Sequence, residues 1–136
     1  MSMEINKIDV EWLRENGVSA SDAVKTIEQF VSANATGSRE QLKLAGHNIG
    51  FDVGFLKRLF RLGGGNFDLI FAHRTIDTSA ILSFLALANK LDIESPSSSK
   101  AFAHFGIKFA PGERHTALGD AMATAELFNR LLSVVQ

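Results

Sequence analysis

Helical patterns that alternate with short apolar runs are the feature that most constrains how this chain folds. Residues 50–62 repeat apolar side chains at helical spacing and stop at three consecutive glycines. Residues 42–46 and 67–72, on either side, are short apolar runs of strand length. Because helices that alternate with buried strands form layered α/β domains, we predict an α/β fold in which both runs are strands.

Other apolar stripes predict further helices along the chain. These helices cover residues 3–16, a segment that begins at Ser19 or Ser21, and residues 78–89, 99–105 and 116–134. The length of 136 residues suits one domain, residues 1–136. No apolar run approaches the ~20 residues that span a bilayer, and the N-terminus has no signal-peptide core. We therefore expect a soluble, cytoplasmic protein with no membrane partner.

The charge of the chain is nearly balanced, with 14 basic residues, 15 acidic residues and a formal net charge of −1. This balance argues against a polycationic nucleic-acid coat or a general membrane-surface binder. The absence of cysteine excludes disulfides, thiolate metal sites and cysteine nucleophiles. Residues 41–75 nevertheless form a local positive patch that includes Lys57 and Arg74. Either phosphate contacts or an ordinary solvated surface explains these cations.

The segment Gly-His-Asn-Ile-Gly-Phe-Asp, residues 46–52, lies where a predicted strand meets a predicted helix. Ligands gather at the C-terminal ends of strands in α/β sheets. Asn48 can fix the turn through its side chain, and Asp52 falls in the first helical turn. A purely structural role explains both residues equally well, because asparagine favours turns and acidic side chains stabilise helix N-termini.

A second polar segment pairs His115 with Asp120 at the start of the last predicted helix. If Thr116 caps that helix, Asp120 lies about one turn into it and His115 lies in the preceding loop. A fixed carboxylate beside a movable imidazole suits metal binding and proton transfer to or from water. Taken by itself, this pair is also common as an incidental surface pair.

Together, the two segments resemble the second and third motifs of the DEDDh exonucleases. That family includes the proofreading subunit of the bacterial replicative polymerase (polymerase III epsilon), RNase T and oligoribonuclease. Residues 75–78 are similar to the aspartate-threonine pair that opens the family's next helix, and residues 105–107 are similar to the loop before its third motif. The resemblance covers essentially the whole chain, in order, and it implies a ribonuclease H-like exonuclease fold.

The resemblance also implies a reaction, the hydrolysis of nucleotides from a nucleic-acid 3′ end by two divalent cations. Two such cations activate a water and stabilise the leaving oxygen, and oxygen ligands suit Mg²⁺ or Mn²⁺. By this resemblance Asp52 and Asp120 are catalytic metal ligands and His115 is the general base.

Five other residues are substrate-binding candidates by the same resemblance. Asn48 and Phe51 would shape the site, and Asp77 would support it or the substrate channel. Arg74 and Lys57 would contact backbone phosphates. For Asp77, a structural role as the N-cap of the helix that begins at Thr78 is at least as well supported by the sequence.

The chain departs from the family at the first motif, an Asp-x-Glu on an opening strand. Asp9 and Glu11 have the right spacing, but the apolar residues around them define a helix. We therefore expect the opening strands to be missing through truncation, so that the chain is the C-terminal two-thirds of the family's domain. By itself it would then be inactive.

Two classes of function follow from these observations. The first is a two-metal-dependent 3′-5′ exonuclease whose partner is a single-stranded 3′ end, of DNA or RNA. The alternative is a non-catalytic nucleic-acid or protein-interaction module on the same scaffold. Loss of a central strand would leave a sheet edge open, so we also expect a possible homo-oligomer.

Overall fold

The computed structural model describes residues 9–34 and 41–135 of the chain. Within these residues the elements are α1 Val10–Asn16, α2 Ala20–Asn34, β1 Ala45–Gly46, α3 Ile49–Gly63, α4 Phe67–Ile70, β2 Ile76–Asp77, α5 Thr78–Leu87, α6 Ser98–His104 and α7 Ala117–Val134. Strands β1 and β2 form a two-stranded sheet. This mixture of helices with a small sheet agrees with the α/β prediction. Among the described helices, none combines the length and apolar character needed to cross a bilayer.

The described residues divide into two compact units. The α3 unit contains residues 10–34, 41–44 and 49–76, and the α7 unit contains Asp9, residues 45–48 and residues 77–135. The expectation of one domain over residues 1–136 stays a prediction.

Aromatic packing forms the core of the α3 unit. The Phe60 ring meets the rings of Phe67 and Phe71 edge-on, each at a centroid distance of 5.9 Å. Val24 of α2 completes this buried cluster. Helix α2 approaches α3 so closely that a Cβ on Gly63 would lie 2.5 Å from the Ala20 carbonyl oxygen. Glycine at the end of α3 is therefore required by the contact between the two helices.

The prediction of a strand over residues 67–72 is wrong. Residues Phe67–Ile70 form the short helix α4, whose N-cap Asn66 accepts a hydrogen bond from the Asp68 backbone N–H at 3.1 Å. The physical reason is the spacing of Phe67 and Phe71, since one helical turn brings both rings to the same side. Phe71 then forms a single parallel bridge with Leu42, and the strand predicted over residues 42–46 shortens to β1.

Helices α5, α6 and α7 enclose the core of the α7 unit. The buried residues of this core are Leu82, Leu85, Ala101, Phe102, Ala123, Leu127 and Leu131. The sequence predictions for these three helices are confirmed, with ends that differ by one or two residues. Thr116 caps α7, as predicted, because its Oγ1 accepts a hydrogen bond from the Gly119 N–H at 3.1 Å. Of the N-terminal helix predicted over residues 3–16, residues 3–8 lie outside the described residues.

Candidate active site

The turn after β1 is held in place by the carboxylate of Asp77. The backbone of Asn48 has a φ of 56°, and its N–H donates to Asp77 Oδ1 at 3.0 Å. The same oxygen accepts a hydrogen bond from the Ser79 N–H at 2.9 Å and caps helix α5. The N-cap role weighed for Asp77 is therefore confirmed, and one carboxylate fixes both the Asn48 turn and the start of α5.

His47 anchors the same turn from inside the α7 unit. Its Nδ1 lies 3.1 Å from Thr78 Oγ1, and the Thr78 hydroxyl donates to the Gly46 carbonyl at 3.3 Å. The direction of the hydrogen bond between His47 and Thr78 depends on the imidazole tautomer. Burial lowers the pKa of His47, an effect opposed by the charge of Asp77 and the backbone of Pro96. His47 is therefore neutral near pH 7 and serves the fold.

Asp52 lies in the first turn of α3, within the α3 unit, with an exposed side chain. The preceding Phe51 is also exposed, and its ring packs against Phe55 at a centroid distance of 4.9 Å. An exposed aromatic side chain next to an exposed carboxylate can stack on a nucleobase while the carboxylate faces the backbone of the same nucleotide.

The two cations proposed for phosphate contact also belong to the α3 unit. Arg74 has an exposed side chain in the segment before β2. The Lys57 Nζ lies 5.2 Å from the centre of the Phe67 ring, in a cation–π contact. Contact of Lys57 with a phosphate therefore competes with this aromatic contact.

His115 and Asp120 lie together at the start of α7. His115 has a φ of 66°, an uncommon backbone conformation for a residue other than glycine, and its side chain is exposed. Its backbone N–H donates to Asp120 Oδ1 at 3.4 Å. The loop that carries the imidazole is thus joined to the carboxylate by a direct hydrogen bond, as the predicted pairing of the two residues requires.

Arg114, which the sequence analysis did not single out, contacts the candidate residue Asp120. Its Nη1 donates to Asp120 Oδ1 in a partly exposed ion pair, with side-chain exposures of 27% for Arg114 and 38% for Asp120. The sequence signal was its position, directly before His115 in the segment Glu-Arg-His-Thr. An arginine beside a histidine does not by itself identify an ion-pair partner six residues away.

The carboxylates of Asp52 and Asp120 have the donor chemistry that suits a hard divalent cation. Within residues 9–34 and 41–135, however, no three histidine, aspartate or glutamate side chains cluster in a way that could hold a metal ion. Each aspartate therefore fits a divalent cation by ligand type, and their role as metal ligands stays a prediction.

The pair Asp9 and Glu11 lies at and just before a helix. Asp9 precedes α1, and Glu11 belongs to it and pairs with Arg14 at 3.4 Å along the exposed surface. The prediction that these residues are not on a strand is therefore confirmed for this part of the chain. Their absence from the catalytic machinery stays a prediction.

Two comparisons place the chain among known proteins. A family model described as an exonuclease, that of RNase T, matches residues 8–128. A DNA polymerase III subunit epsilon-like protein of Rhodobacter capsulatus is 37% identical over an alignment 132 positions long, and this alignment covers 87% of the present chain. The chain spans 17% of that relative's length.

Proposed function

The chain belongs to the RNase T exonuclease family, and from that premise we propose that it removes nucleotides from the 3′ end of single-stranded nucleic acid. The reaction is the hydrolysis of a phosphodiester bond. The observation that carries this proposal is the arrangement at the start of α7, where the His115 N–H bonds to Asp120 Oδ1 at 3.4 Å. The family match supports the class of reaction, and this contact supports His115 and Asp120 as neighbours in the proposed site.

His115 is the proposed general base. Its imidazole is exposed and stands at the end of a turn fixed by its own backbone N–H, so its ring can approach a water without rearrangement of α7. A neutral imidazole accepts the proton of the attacking water and later releases it to solvent. Asp52 and Asp120 are the proposed ligands of Mg²⁺ or Mn²⁺, which when bound would supply Lewis-acid activation of the water and charge stabilisation of the leaving oxygen.

Phe51, Asn48, Lys57 and Arg74 are the proposed substrate contacts. Phe51 is supported by its exposure, because an exposed ring offers a stacking surface to a nucleobase. Asn48 is supported by its fixed backbone, which holds its side chain at the end of β1. For Asp77, the N-cap geometry supports an indirect role, in which its carboxylate keeps the Asn48 turn in place.

The decisive experiment follows a single-stranded oligonucleotide labelled at its 5′ end, incubated with the chain in Mg²⁺, in Mn²⁺ and in EDTA. We expect slow successive shortening from the 3′ end in the presence of the cations, and no shortening of an oligonucleotide whose 3′ end is blocked. Parallel DNA and RNA substrates identify the preferred sugar. His115→Ala should lower kcat with little change in KM, because the base acts in the chemical step. His104→Ala, which removes an exposed histidine on α6, is the matched control.

We also propose that Asp9 and Glu11 take no part in the reaction, since Glu11 pairs with Arg14 on the surface of a helix. The proposed site would then lack the two carboxylates that the family's first motif adds, so we expect slow cleavage. The variants Asp9→Asn and Glu11→Gln test this directly. A loss of activity in both would identify them as the family's first motif after all.

A second candidate function is a nucleic-acid-binding module without catalysis. It is favoured by the ion pair between Arg114 and Asp120, which neutralises a carboxylate that a nuclease would use for a cation. Under this alternative, a single-stranded oligonucleotide migrates more slowly in a gel when the chain is bound to it, and its length stays unchanged in Mn²⁺.

Self-association through the edge of the small sheet is a further proposal. Light scattering that shows a monodisperse monomer would contradict it.

A further inference from the structure

Arg114 is held by contacts that reach its guanidinium from several elements of the α7 unit. Its Cζ lies 5.2 Å from the centre of the Phe102 ring and 5.1 Å from the centre of the Phe109 ring. Its Nη2 donates to Ser99 Oγ at 3.2 Å and to Ser98 Oγ at 3.4 Å. Aromatic faces and hydroxyl oxygens together form a binding environment that suits a planar, permanently charged group.

The guanidinium of Arg114 also contacts Asp120. Arg114 Nη1 pairs with Asp120 Oδ1, the oxygen that also accepts the His115 N–H. Both of these hydrogen bonds are accepted by Oδ1. The carboxylate is thus fixed at one oxygen by a cation that belongs to the chain.

We propose that Arg114 is the internal counter-ion of Asp120: it orients the carboxylate and lowers its affinity for a divalent cation. The inference rests on the proposed role of Asp120 as a cation ligand. The physical reason is electrostatic, because a positive charge in contact with a carboxylate cancels most of the attraction that a second cation experiences there. Arg114 is accordingly a positioning residue, which acts through Asp120 and does not touch the substrate.

A consequence is that Arg114 and a divalent cation stabilise the same carboxylate in alternative ways. Without added metal, the ion pair stabilises the start of α7. With Mn²⁺ bound, the contribution of Arg114 to stability decreases. Replacement of Arg114 by methionine, which keeps an unbranched side chain against Phe102 and Phe109 and removes the charge, should therefore have opposite effects on stability without metal and on metal affinity.

The test measures Mn²⁺ binding from the electron paramagnetic resonance signal of the free ion, with the full chain and no nucleic acid present. We expect Arg114→Met to bind Mn²⁺ about fivefold more tightly than the wild-type chain, the change that matches removal of a partly exposed charge. Its thermal midpoint should be lower than that of the wild type in EDTA, and the difference should narrow in Mn²⁺. Arg114→Lys, which keeps the charge, should retain near wild-type affinity.

The matched control is Arg130→Met, because Arg130 pairs with Glu126 at 2.7 Å on the same helix and outside this site. It should leave Mn²⁺ affinity unchanged, and Asp120→Asn should abolish the gain in the Arg114→Met background. Equal or weaker Mn²⁺ binding by folded Arg114→Met and by Arg114→Gln would overturn the proposal. Oligonucleotide cleavage distinguishes the counter-ion proposal from the proposed nuclease function. If cleavage depends on Asp120 but Arg114→Met binds Mn²⁺ no more tightly, only the counter-ion proposal is refuted. If Arg114→Met binds Mn²⁺ more tightly but the chain does not cleave the oligonucleotide, only the nuclease function is refuted.

Discussion

Helices α3 and α7 begin alike in sequence and differ in structure. Each carries an aspartate in its first turn, Asp52 in α3 and Asp120 in α7. Asp120 is joined to Arg114 by an ion pair and to the His115 N–H by a hydrogen bond. Asp52 is exposed, and no described residue forms a hydrogen bond or an ion pair with its carboxylate. Within the described residues, Asp120 is therefore held by contacts with the chain, and Asp52 is exposed to solvent.

The glycines beside these aspartates show the same contrast. A Cβ on Gly119 would lie 2.3 Å from the Glu113 carbonyl oxygen, so the loop before α7 packs directly onto the helix. A Cβ on Gly50 would meet nothing within 4 Å. The favourable interaction of a carboxylate with a helix N-terminus explains the presence of both aspartates. Tertiary contacts explain why Asp120 is held by partners of the chain.

The largest expected effect is a loss of cleavage when either of the two aspartates is replaced. Asp52→Asn and Asp120→Asn should each lower oligonucleotide cleavage about 100-fold or more, because each removes an anionic oxygen ligand from the proposed cation site. Initial rates at saturating oligonucleotide measure the effect, and Asp92→Asn, an exposed loop variant, is the control. If one of the two substitutions leaves the rate unchanged, the corresponding helix start lies outside the active site.

The glycines provide the sharpest test of stability. Gly119→Ala should destabilise the chain by about 2 kcal/mol, because its Cβ overlaps the Glu113 backbone. Gly50→Ala should stabilise it by about 0.5–1 kcal/mol, since alanine favours the helix and meets no neighbour. Urea unfolding followed by circular dichroism measures both. Equal changes in the free energy of unfolding would show that the loop before α7 is not packed as described.

In the absence of metal, the two aspartate substitutions should differ in their effect on the free energy of unfolding, by a smaller amount than the two glycine substitutions. Asp120→Asn should cost about 1 kcal/mol, because it leaves the partly buried Arg114 without its counter-ion. Asp52→Asn should change the free energy of unfolding by less than about 0.5 kcal/mol, as expected for an exposed side chain. Both variants are unfolded in urea with EDTA present. A loss in Asp52→Asn as large as that in Asp120→Asn would reveal a partner for Asp52.

The smallest effect concerns the turn that leads into α3, where burial lowers the pKa of His47. The unfolded chain then binds a proton at a higher pH than the folded chain, so stability is present at pH 7 and declines as the pH falls through the usual histidine value of about 6.5. Urea midpoints at pH 7 and pH 5 measure this decline. It should be smaller in His47→Asn, whereas the exposed control His104→Asn should retain it in full.

Much of the α7 unit could be predicted from the sequence because its signals are local. Thr116 was predicted to cap α7, and its side chain accepts the Gly119 N–H as a cap should. The strand expected over residues 67–72 was wrong because an apolar run of that length suits either a strand or a buried helical turn. The rings of Phe60, Phe67 and Phe71 decided between them, and their packing involves residues distant in the sequence.

By itself, the sequence determined the two helix starts beside which the candidate residues Asp52, His115 and Asp120 lie. It did so because capping, helical periodicity and turn formation depend on neighbouring residues. The tertiary structure alone decided that Arg114 neutralises Asp120 and that Asp77 fixes the Asn48 turn. These two contacts require side chains from separate elements to meet, and the free energy of such a meeting depends on burial and geometry that no local pattern encodes.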